Sequence, residues 1–357
     1  MSGSSTKLKI GVLGCGLISQ AAHLEAVVRA SNADLYAICD VAEDLLERMN
    51  AVHRPQVAYS DYDQMLADPQ VEAVIIGIAD KFHVPMALKA VRAGKHVLVE
   101  KPLGVTIEEC EELAEEVRRH DRILQVGNMK RFDPGIAYAK KFINGELGEM
   151  LALKAWYCDS TSRYTVCENV MPVAVMSDHA RKPEGNPKQD KQRYYMMTHG
   201  SHLVDTARFL GGEIVSVQAW HTQKFGAYCW LSTIEYESGA IGQLDLTVAV
   251  RMDWHEGFQV YGEYGSVLAK TYNPWLLKSS DVEVFSIKDG LYRRPLGEDA
   301  HFFRLQVESF AATILEGVPM RGATLFDGIR NMRTMVAIAR SVETGQKVKL
   351  SEVSGGV

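Results

Sequence analysis

The chain of 357 residues has no long apolar run, no excess of basic residues and no regular cysteine spacing. A membrane-spanning helix needs about 18 consecutive apolar residues, and no such run occurs. Lysine and arginine together number 39 against 45 acidic residues, which gives a formal net charge of -6. Nothing in this balance indicates binding to nucleic acid or to an anionic membrane surface, and we predict neither partner.

The six cysteines contain no C-x-x-C motif and no paired spacing, which favours reduced thiols and a cytoplasmic location. Cys158, Cys167 and His179 are spaced too irregularly for a typical metal site, so we predict no metal. The small polar residues 1–6 have no apolar signal-peptide core behind them, and we expect a disordered tail. The cysteines are Cys15, Cys39, Cys110, Cys158, Cys167 and Cys229.

A glycine-rich turn follows the first apolar run, Lys7 to Leu13. Gly14 permits a tight turn, and Gly16 lets backbone approach a pyrophosphate at the N-terminus of the helix predicted for residues 21–30. Ser19 occupies the third small position of the motif. Glycines in such turns also serve geometry alone, so the turn by itself is weak evidence for a nucleotide site.

Asp40 follows the next predicted strand, Ala33 to Cys39. An acid at this distance from the glycines accepts hydrogen bonds from the adenosine ribose and repels a 2′-phosphate, which favours NAD over NADP. The alternative is that Asp40 caps the helix predicted for residues 41–49. Both roles are compatible.

Strands and helices alternate through the first third of the chain, and the predicted strands after residue 213 are short and joined by turns. The pattern predicts an α/β fold: an N-terminal doubly wound parallel sheet of the Rossmann type, then an α+β domain with a large, mostly antiparallel open sheet. We place the first domain at residues 7–127 and the second at 128–357. Length and a hydrophobic content of 46% agree with two cores.

The run from His96 to Val99 ends on Glu100, Lys101 and Pro102. A buried parallel strand here would present the two charges at the carboxyl edge of the sheet, where open α/β sheets bind ligands. Lys101 is suited to orient or deprotonate an alcohol, and Glu100 to hold it in place. The alternative is an exposed surface ion pair.

A second chemical cluster lies in the predicted helix that Thr198 caps and Gly211 ends. Leu203, Ala207 and Leu210 form one stripe of this helix at 100° per residue. Thr198, His202 and Asp205 form another stripe, with His199 at its margin. Two imidazoles and a carboxylate on one face favour a functional role over simple packing.

The segment 159–193 shows no convincing period and includes a charged, proline-rich stretch after His179. Loops of this length are functional or disordered. We leave open whether it is a lid over the substrate or a solvated insertion.

These motifs together resemble the glucose-fructose oxidoreductase, inositol dehydrogenase and rhizopine-catabolism oxidoreductase (Gfo/Idh/MocA) family. The resemblance rests on Gly14-Cys15-Gly16, His83, the stretch from Ala93 to Pro102, the stretch from Asn128 to Phe132, and His202 to Asp205. The chain departs from the family pattern at Ile78-Ala79-Asp80, where Thr-Pro-Asn is usual, and at Thr198, where the family has an aspartate.

The resemblance implies an NAD-dependent enzyme that oxidises a ring hydroxyl of a sugar, glycoside or cyclitol, with C3 of a glucoside as a narrower candidate. It implies a homo-oligomer, and the strands that carry Trp220, Trp230 and Trp254 are candidates for the contact. Two alternatives stay open: a lyase or hydrolase that oxidises its glycoside transiently, and a non-catalytic NAD-binding regulator.

The expected site residues fall into three groups. The catalytic residues are Lys101, His202 as base, and His199 as a substitute partner. The substrate-binding residues are Lys101, Arg131, Thr198, His199, His202 and Asp205. The cofactor-binding residues are Gly14, Gly16, Leu17, Ile18, Asp40, Ile78, His83, Glu100, Lys101 and Asn128.

Overall fold

The computed structural model describes residues 6–160, 174–180, 184, 189–298 and 300–357. Its strands are β1 Leu8–Leu13, β2 Ala33–Cys39, β3 Val57–Tyr59, β4 Ala73–Ile76, β5 His96–Val99, β6 Leu124–Val126, β7 Met150–Ser160, β8 Ile214–Lys224, β9 Ala227–Tyr236, β10 Ile241–Val250, β11 His255–Gly262, β12 Gly265–Thr271, β13 Asp281–Ser286, β14 Leu291–Arg293, β15 Ala323–Thr324 and β16 Val348–Lys349. Its α-helices are α1 Leu24–Arg29, α2 Glu43–His53, α3 Tyr62–Ala67, α4 His83–Arg92, α5 Ile107–His120, α6 Pro134–Gly145, α7 Lys191–Tyr195, α8 Ser201–Gly211, α9 Phe302–Glu316 and α10 Leu325–Thr344.

Two compact units divide the chain. The first comprises Met1–Met129, Met171–Pro187 and His301–Ile329, and the second comprises Lys130–Val170, Lys188–Ala300 and Arg330–Val357. The proposed domain bounds, 7–127 and 128–357, are a simpler division of the same chain and stay a prediction. The first unit takes two later segments of the chain, which the strand and helix pattern alone gave no reason to assign to it.

A seven-stranded sheet in the order β15-β6-β5-β4-β1-β2-β3 forms the first unit. Strands β1 to β6 run parallel, and β15 pairs antiparallel with β6 at the edge. Because β1 lies between β2 and β4, the strand order reverses beside it, and ligands bind at the carboxyl ends of strands at such a switch point. The residues that follow β1, β2, β4 and β5 therefore meet at the ligand edge of this sheet.

The second unit contains a nine-stranded sheet in the order β14-β13-β12-β11-β7-β10-β9-β8-β16. Its ladders are antiparallel apart from the pair of β7 with β10. Helix α8 packs on β7 and β10, and α6 packs on β13. The predicted fold class is confirmed in both halves.

The helix predicted to begin at Thr198 is wrong in its bounds. One helical run extends from α7 through a π-helical turn, Met196–Gly200, into α8, and Asp190 caps its start by accepting from the Arg193 N–H at 3.0 Å. Thr198 lies inside this run, and its hydroxyl donates backward to the Tyr194 carbonyl. Gly211 is helical, and the C-cap is Gly212 at φ +96°.

Of the three tryptophans considered for a partner face, Trp230 lies in the core. Trp230 is buried and packs on His221 and Tyr228, whereas Trp220 is 59% exposed and Trp254 is partly buried. Period-2 alternation places side chains on two faces but leaves open which face is covered.

No helix among the described residues combines the length and the apolar character needed to cross a membrane. The same residues contain no cluster of three or more histidine, cysteine or acidic side chains arranged to hold a metal ion. The predictions for residues 1–5, for Cys167 and for most of the segment 161–188 lie outside the described part of the chain.

Candidate active site

The turn after β1 is shaped by two glycines with different roles. Gly14 has φ +91°, and a Cβ built on it would lie 2.5 Å from the Ile78 side chain and 2.6 Å from the Gly77 carbonyl. Only glycine fits there. A Cβ on Gly16 would meet nothing within 4 Å, so its backbone is open to a ligand. Leu17 and Ile18 begin the helix that follows, and its first N–H groups suit a pyrophosphate.

Asp40 fixes this turn from the end of β2. Its Oδ2 accepts from the Cys15 N–H at 2.7 Å, and its Oδ1 accepts from the Ala42 N–H at 2.9 Å. The N-cap of α2 is Ala42, so Asp40 supports the start of the helix without being its cap residue. The negative charge beside the turn fits a ribose diol and disfavours a 2′-phosphate. The glycine turn and the Asp40 carboxylate therefore fit NAD.

Gln20 was not among the predicted residues, yet it joins the glycine turn to the segment 174–180. Its Nε2 donates to the carbonyls of Cys15 and Val175 at 2.8 and 3.0 Å, and its Oε1 accepts from the Val175 N–H at 2.8 Å. Ser177 donates to Asp44 in the first turn of α2 at 2.7 Å. Residues 174–180 of the segment 159–193 are thus bound to the cofactor side of the first unit.

Glu100 is buried, so the surface ion pair considered for it is wrong. Its Oε1 lies 3.0 Å from His23 Nε2, and its Oε2 accepts from the backbone N–H of Lys101 at 3.1 Å. Burial raises the pKa of Glu100, but the contact with His23 and the charges of His23, Lys101 and His83 outweigh it, and the pKa lies below its ordinary value. The site therefore holds a carboxylate that fixes the backbone at Lys101.

His83 ties together two loops at the same sheet edge. Its Nδ1 lies 2.7 Å from the Pro102 carbonyl and its Nε2 lies 3.0 Å from the Ile78 carbonyl. The ring is buried. Its contacts connect the loop after β4 to the loop after β5. They also keep Ile78 beside the glycine turn.

Asn128 follows β6 and is buried. Its Oδ1 has no hydrogen-bond partner within the described structure. Because buried acceptors are nearly always paired, this oxygen fits a donor supplied by a bound ligand. The predicted cofactor residues thus share the ligand edge of the first unit.

The second unit brings Asp159, His199 and Thr198 together. Asp159 lies near the end of β7, and its Oδ2 is 3.0 Å from His199 Nε2. Thr198 Oγ1 is 2.7 Å from His199 Nδ1. Asp159 was absent from the predicted set, because only the folded chain brings this strand end next to His199.

The imidazoles of His199 and His202, both predicted as site residues, pack against the Tyr157 ring. His202 stacks on it with centroids 6.0 Å apart and an angle of 3° between the planes, and His199 meets it edge-on at 5.6 Å. Lys130 Nζ lies 4.5 Å from the centroid of the same ring and forms an ion pair with Glu256. Burial of this pair lowers the pKa of Lys130 and raises the pKa of Glu256, each against the attraction of the other.

Arg131 and Asp205, expected to bind substrate, bind each other. Arg131 donates to the carboxylate through Nε at 3.0 Å and Nη2 at 2.7 Å, and Asn331 donates to it at 2.9 Å. Both charged groups are buried. The bidentate geometry indicates a structural ion pair, and their role as substrate ligands stays a prediction.

Lys101 belongs to the first unit, and His202 to the second. Their joint action on one hydroxyl therefore stays a prediction.

Two models of one family match most of the chain. The model described as an oxidoreductase family with an NAD-binding Rossmann fold matches residues 8–128, and its companion, the C-terminal alpha/beta domain of the oxidoreductase family, matches residues 186–350. The chain belongs to the Gfo/Idh/MocA family. NAD is accordingly its cofactor, and the protein is an NAD-binding oxidoreductase.

Three related proteins extend this finding. Inositol 2-dehydrogenase 2 of Saccharopolyspora erythraea is 28% identical over 95% of this chain and 94% of its own length. Myo-inositol 2-dehydrogenase of Thermotoga maritima is 26% identical over 98% of this chain and 100% of its own length. The structure of a levoglucosan dehydrogenase in complex with NADH and levoglucosan superposes with a TM-score of 0.79 at 19% identity, covering 97% and 100% of the two chains, which shows a shared fold.

Proposed function

We propose that this member of the family oxidises a secondary hydroxyl on the ring of a cyclitol or sugar. The glycine turn with Asp40 at the switch point of the first sheet supports the proposal, because Lys101 follows β5 at the same edge of that sheet. NAD held at this edge would supply the acceptor, nicotinamide C4, for a hydride from the carbinol carbon. The substrate loses that hydride and its hydroxyl proton, and a ketone is released.

In this proposal Lys101 and His202 handle the hydroxyl. His202 removes the proton, and Lys101 donates a hydrogen bond to the same oxygen and stabilises its developing negative charge. The stack on Tyr157 supports the orientation of His202, and the buried Glu100 supports the backbone at Lys101. The names of the inositol dehydrogenase relatives support a polyhydroxylated ring as the substrate.

Replacing Lys101 tests this assignment. We expect Lys101→Ala to lose about 10²-fold or more in kcat, as removal of an oxyanion donor typically does, and to keep its Kd for NAD within about threefold. Lys81→Ala is the matched control, because Lys81 is an exposed lysine after β4. Full turnover in Lys101→Ala would refute the role of the lysine.

A panel of inositols, aldoses and glucosides with NAD, followed by absorbance of the reduced nicotinamide, tests the substrate class. NMR of the product identifies the oxidised carbon and decides whether C3 of a glucoside is the position. Cleavage of a glycoside without net formation of NADH would support the lyase or hydrolase instead. Tight binding of NAD without turnover of any member of the panel would support the regulator.

We further propose a homo-oligomer that acts in the cytoplasm. The outer face of the nine-stranded sheet carries Trp220, Leu231 and Ile241, which are 59%, 43% and 55% exposed. Isolated apolar side chains are common on surfaces, but Trp220 and Leu231 lie opposite each other on β8 and β9, and adjacent apolar side chains on one sheet face favour a partner.

A further inference from the structure

His199 contacts an acceptor through each ring nitrogen. The hydroxyl of Thr198 has one proton and donates it to the Tyr194 carbonyl at 2.7 Å, so that towards His199 Nδ1, also at 2.7 Å, this oxygen is an acceptor. The partner of Nε2 is a carboxylate oxygen of Asp159 at 3.0 Å. Both contacts are hydrogen bonds only if both nitrogens of His199 carry a proton.

Asp159 is placed to be the anion of this pair. Its Oδ1 accepts from the backbone N–H of Ser160 at 2.8 Å, and a hydrogen bond of that kind favours the ionised carboxyl. The carboxyl is buried, where an isolated charge would be costly and a cationic partner stabilises it.

Two tyrosine rings pack against His199 in an arrangement that also accommodates a cation. His199 meets Tyr157 at 5.6 Å and 85°, and meets Tyr195 at 5.5 Å and 69°. Cations are attracted to aromatic rings at this range.

We infer that Asp159 and Thr198 hold His199 as a permanent imidazolium, which makes it a positioning residue for the Tyr157 ring on which His202 stacks. The positioning role rests on the proposed function, whereas the protonation state does not. With both N–H groups engaged by the protein, His199 neither takes a proton from substrate nor donates to it. This differs from the catalytic and substrate-binding role expected from the sequence.

The charged and titratable groups around His199 come from several elements. Asp159 lies on β7, and Tyr195 closes α7 on the helical run that carries His199 itself. Lys130 approaches the Tyr157 ring and is neutralised by Glu256 of β11. Asp159 is in ion-pair contact with the imidazole, so we expect its removal to favour the neutral form of His199.

Nitrogen-15 NMR of ring-labelled histidine in the full chain tests the inference directly. At pH 8 we expect His199 to show two protonated nitrogens, whereas His96, whose pKa is about 4, and His221, whose pKa burial lowers, show one each. Assignment comes from His199→Gln. In Asp159→Asn we expect His199 to become neutral at pH 8, because the amide offers no negative charge. One unprotonated nitrogen on His199 in the unaltered protein at pH 8 would overturn the inference.

Turnover supplies the second readout. We expect Asp159→Asn to lower kcat about 10- to 100-fold, part of what a positioned base contributes, with the Kd for NAD unchanged within twofold. Asp245→Asn is the matched control, since Asp245 is a partly buried carboxylate on the neighbouring strand β10 that binds Thr247. If His199 is neutral in Asp159→Asn and kcat is unchanged, the positioning role is refuted, whereas the imidazolium state in the unaltered protein still holds. Absence of turnover in the unaltered protein would count against the proposed function alone.

Discussion

Asp205 fits the sequence pattern of a substrate ligand, but in the structure its carboxylate pairs with Arg131. The helical period correctly places it on the polar side of α8, three residues from His202. Its carboxylate is nonetheless buried with Arg131, which is 74 residues away in the sequence. The period of a helix gives the direction of a side chain, but the residue that meets it there depends on tertiary packing. Sequence reasoning therefore found the charged residues of this region and missed which of them pair.

Removal of one partner tests the structural role of this pair. We expect Asp205→Ala to lower the free energy of unfolding by about 3–5 kcal/mol, because it removes the buried carboxylate that pairs with the buried Arg131 guanidinium. The double variant Arg131→Met/Asp205→Leu should lose less than Asp205→Ala. Urea denaturation followed by circular dichroism measures both. Equal stability of Asp205→Ala and the unaltered protein would show that the pair contributes nothing.

Asp40 sets the preference between the two nicotinamide cofactors. Asp40→Ser removes the negative charge that a 2′-phosphate would face and the acceptor for the ribose. We expect the Kd for NAD to rise about tenfold and the Kd for NADP to fall. The tenfold change corresponds to about 1.4 kcal/mol, close to the value of one lost hydrogen bond to a charged group. Isothermal titration with each cofactor measures the change. A variant that still rejects NADP would place the discrimination elsewhere.

Helix ends differed in how well they could be predicted from the sequence. The capping box that starts α5 can be read from the sequence, because Thr106 and Glu109 accept from each other's backbone N–H groups and the signal is local. The start of the helical run at Asp190 was missed, and Thr198 was taken for its cap. The π-helical turn before α8 shifts the period, and the Thr198 hydroxyl satisfies a carbonyl instead of an N–H. Local capping chemistry does not distinguish these two uses of a threonine.

Strand β5 begins with a histidine that makes the stability of the first unit sensitive to pH. Burial, together with the charge of Arg122, lowers the pKa of His96 to about 4, and its Nδ1 accepts the Ile123 N–H at 3.0 Å. The ring is neutral in the folded chain, whereas in the unfolded chain it takes a proton below about pH 6.5. Its contribution is therefore complete above pH 6.5 and is lost as the pH falls towards 4.

We expect His96→Asn to flatten this dependence, because an amide oxygen accepts the same N–H without titrating. Urea unfolding at pH 7.5 and pH 5 should show a smaller loss of stability in the variant than in the unaltered protein. His96→Phe, which fills the space without an acceptor, should be less stable at both values. If His96→Asn loses as much stability between pH 7.5 and pH 5 as the unaltered protein does, other groups cause the acid sensitivity.

At the scale of the whole molecule, the alternation of strands and helices predicted the first sheet, and the short strands joined by turns predicted the second. Buried parallel strands and half-exposed strands differ in composition along their entire length, so the signal accumulates over many residues. The assignment of residues 171–187 and 301–329 to the first unit was not predictable, because it depends on contacts between distant segments.

Assembly through the outer sheet face is testable by one substitution. If Trp220 lies in the contact, Trp220→Lys buries a charge there, and we expect a smaller oligomer at micromolar concentration. Size-exclusion chromatography with light scattering gives the mass. Val52→Lys, at a 66% exposed position of α2, is the control. An identical mass for all three proteins would remove this face from consideration.

The link between Gln20 and Val175 bears on how the gene can be cut. A fragment ending at Met129 would contain every strand of the first sheet except β15, yet it would lack the main-chain partner of the Gln20 amide. It would also lack α9, whose Glu308 accepts the Ser31 N–H and whose Phe303 ring packs on His23. Chimeras that exchange cofactor modules between relatives must therefore transplant three stretches of coding sequence together.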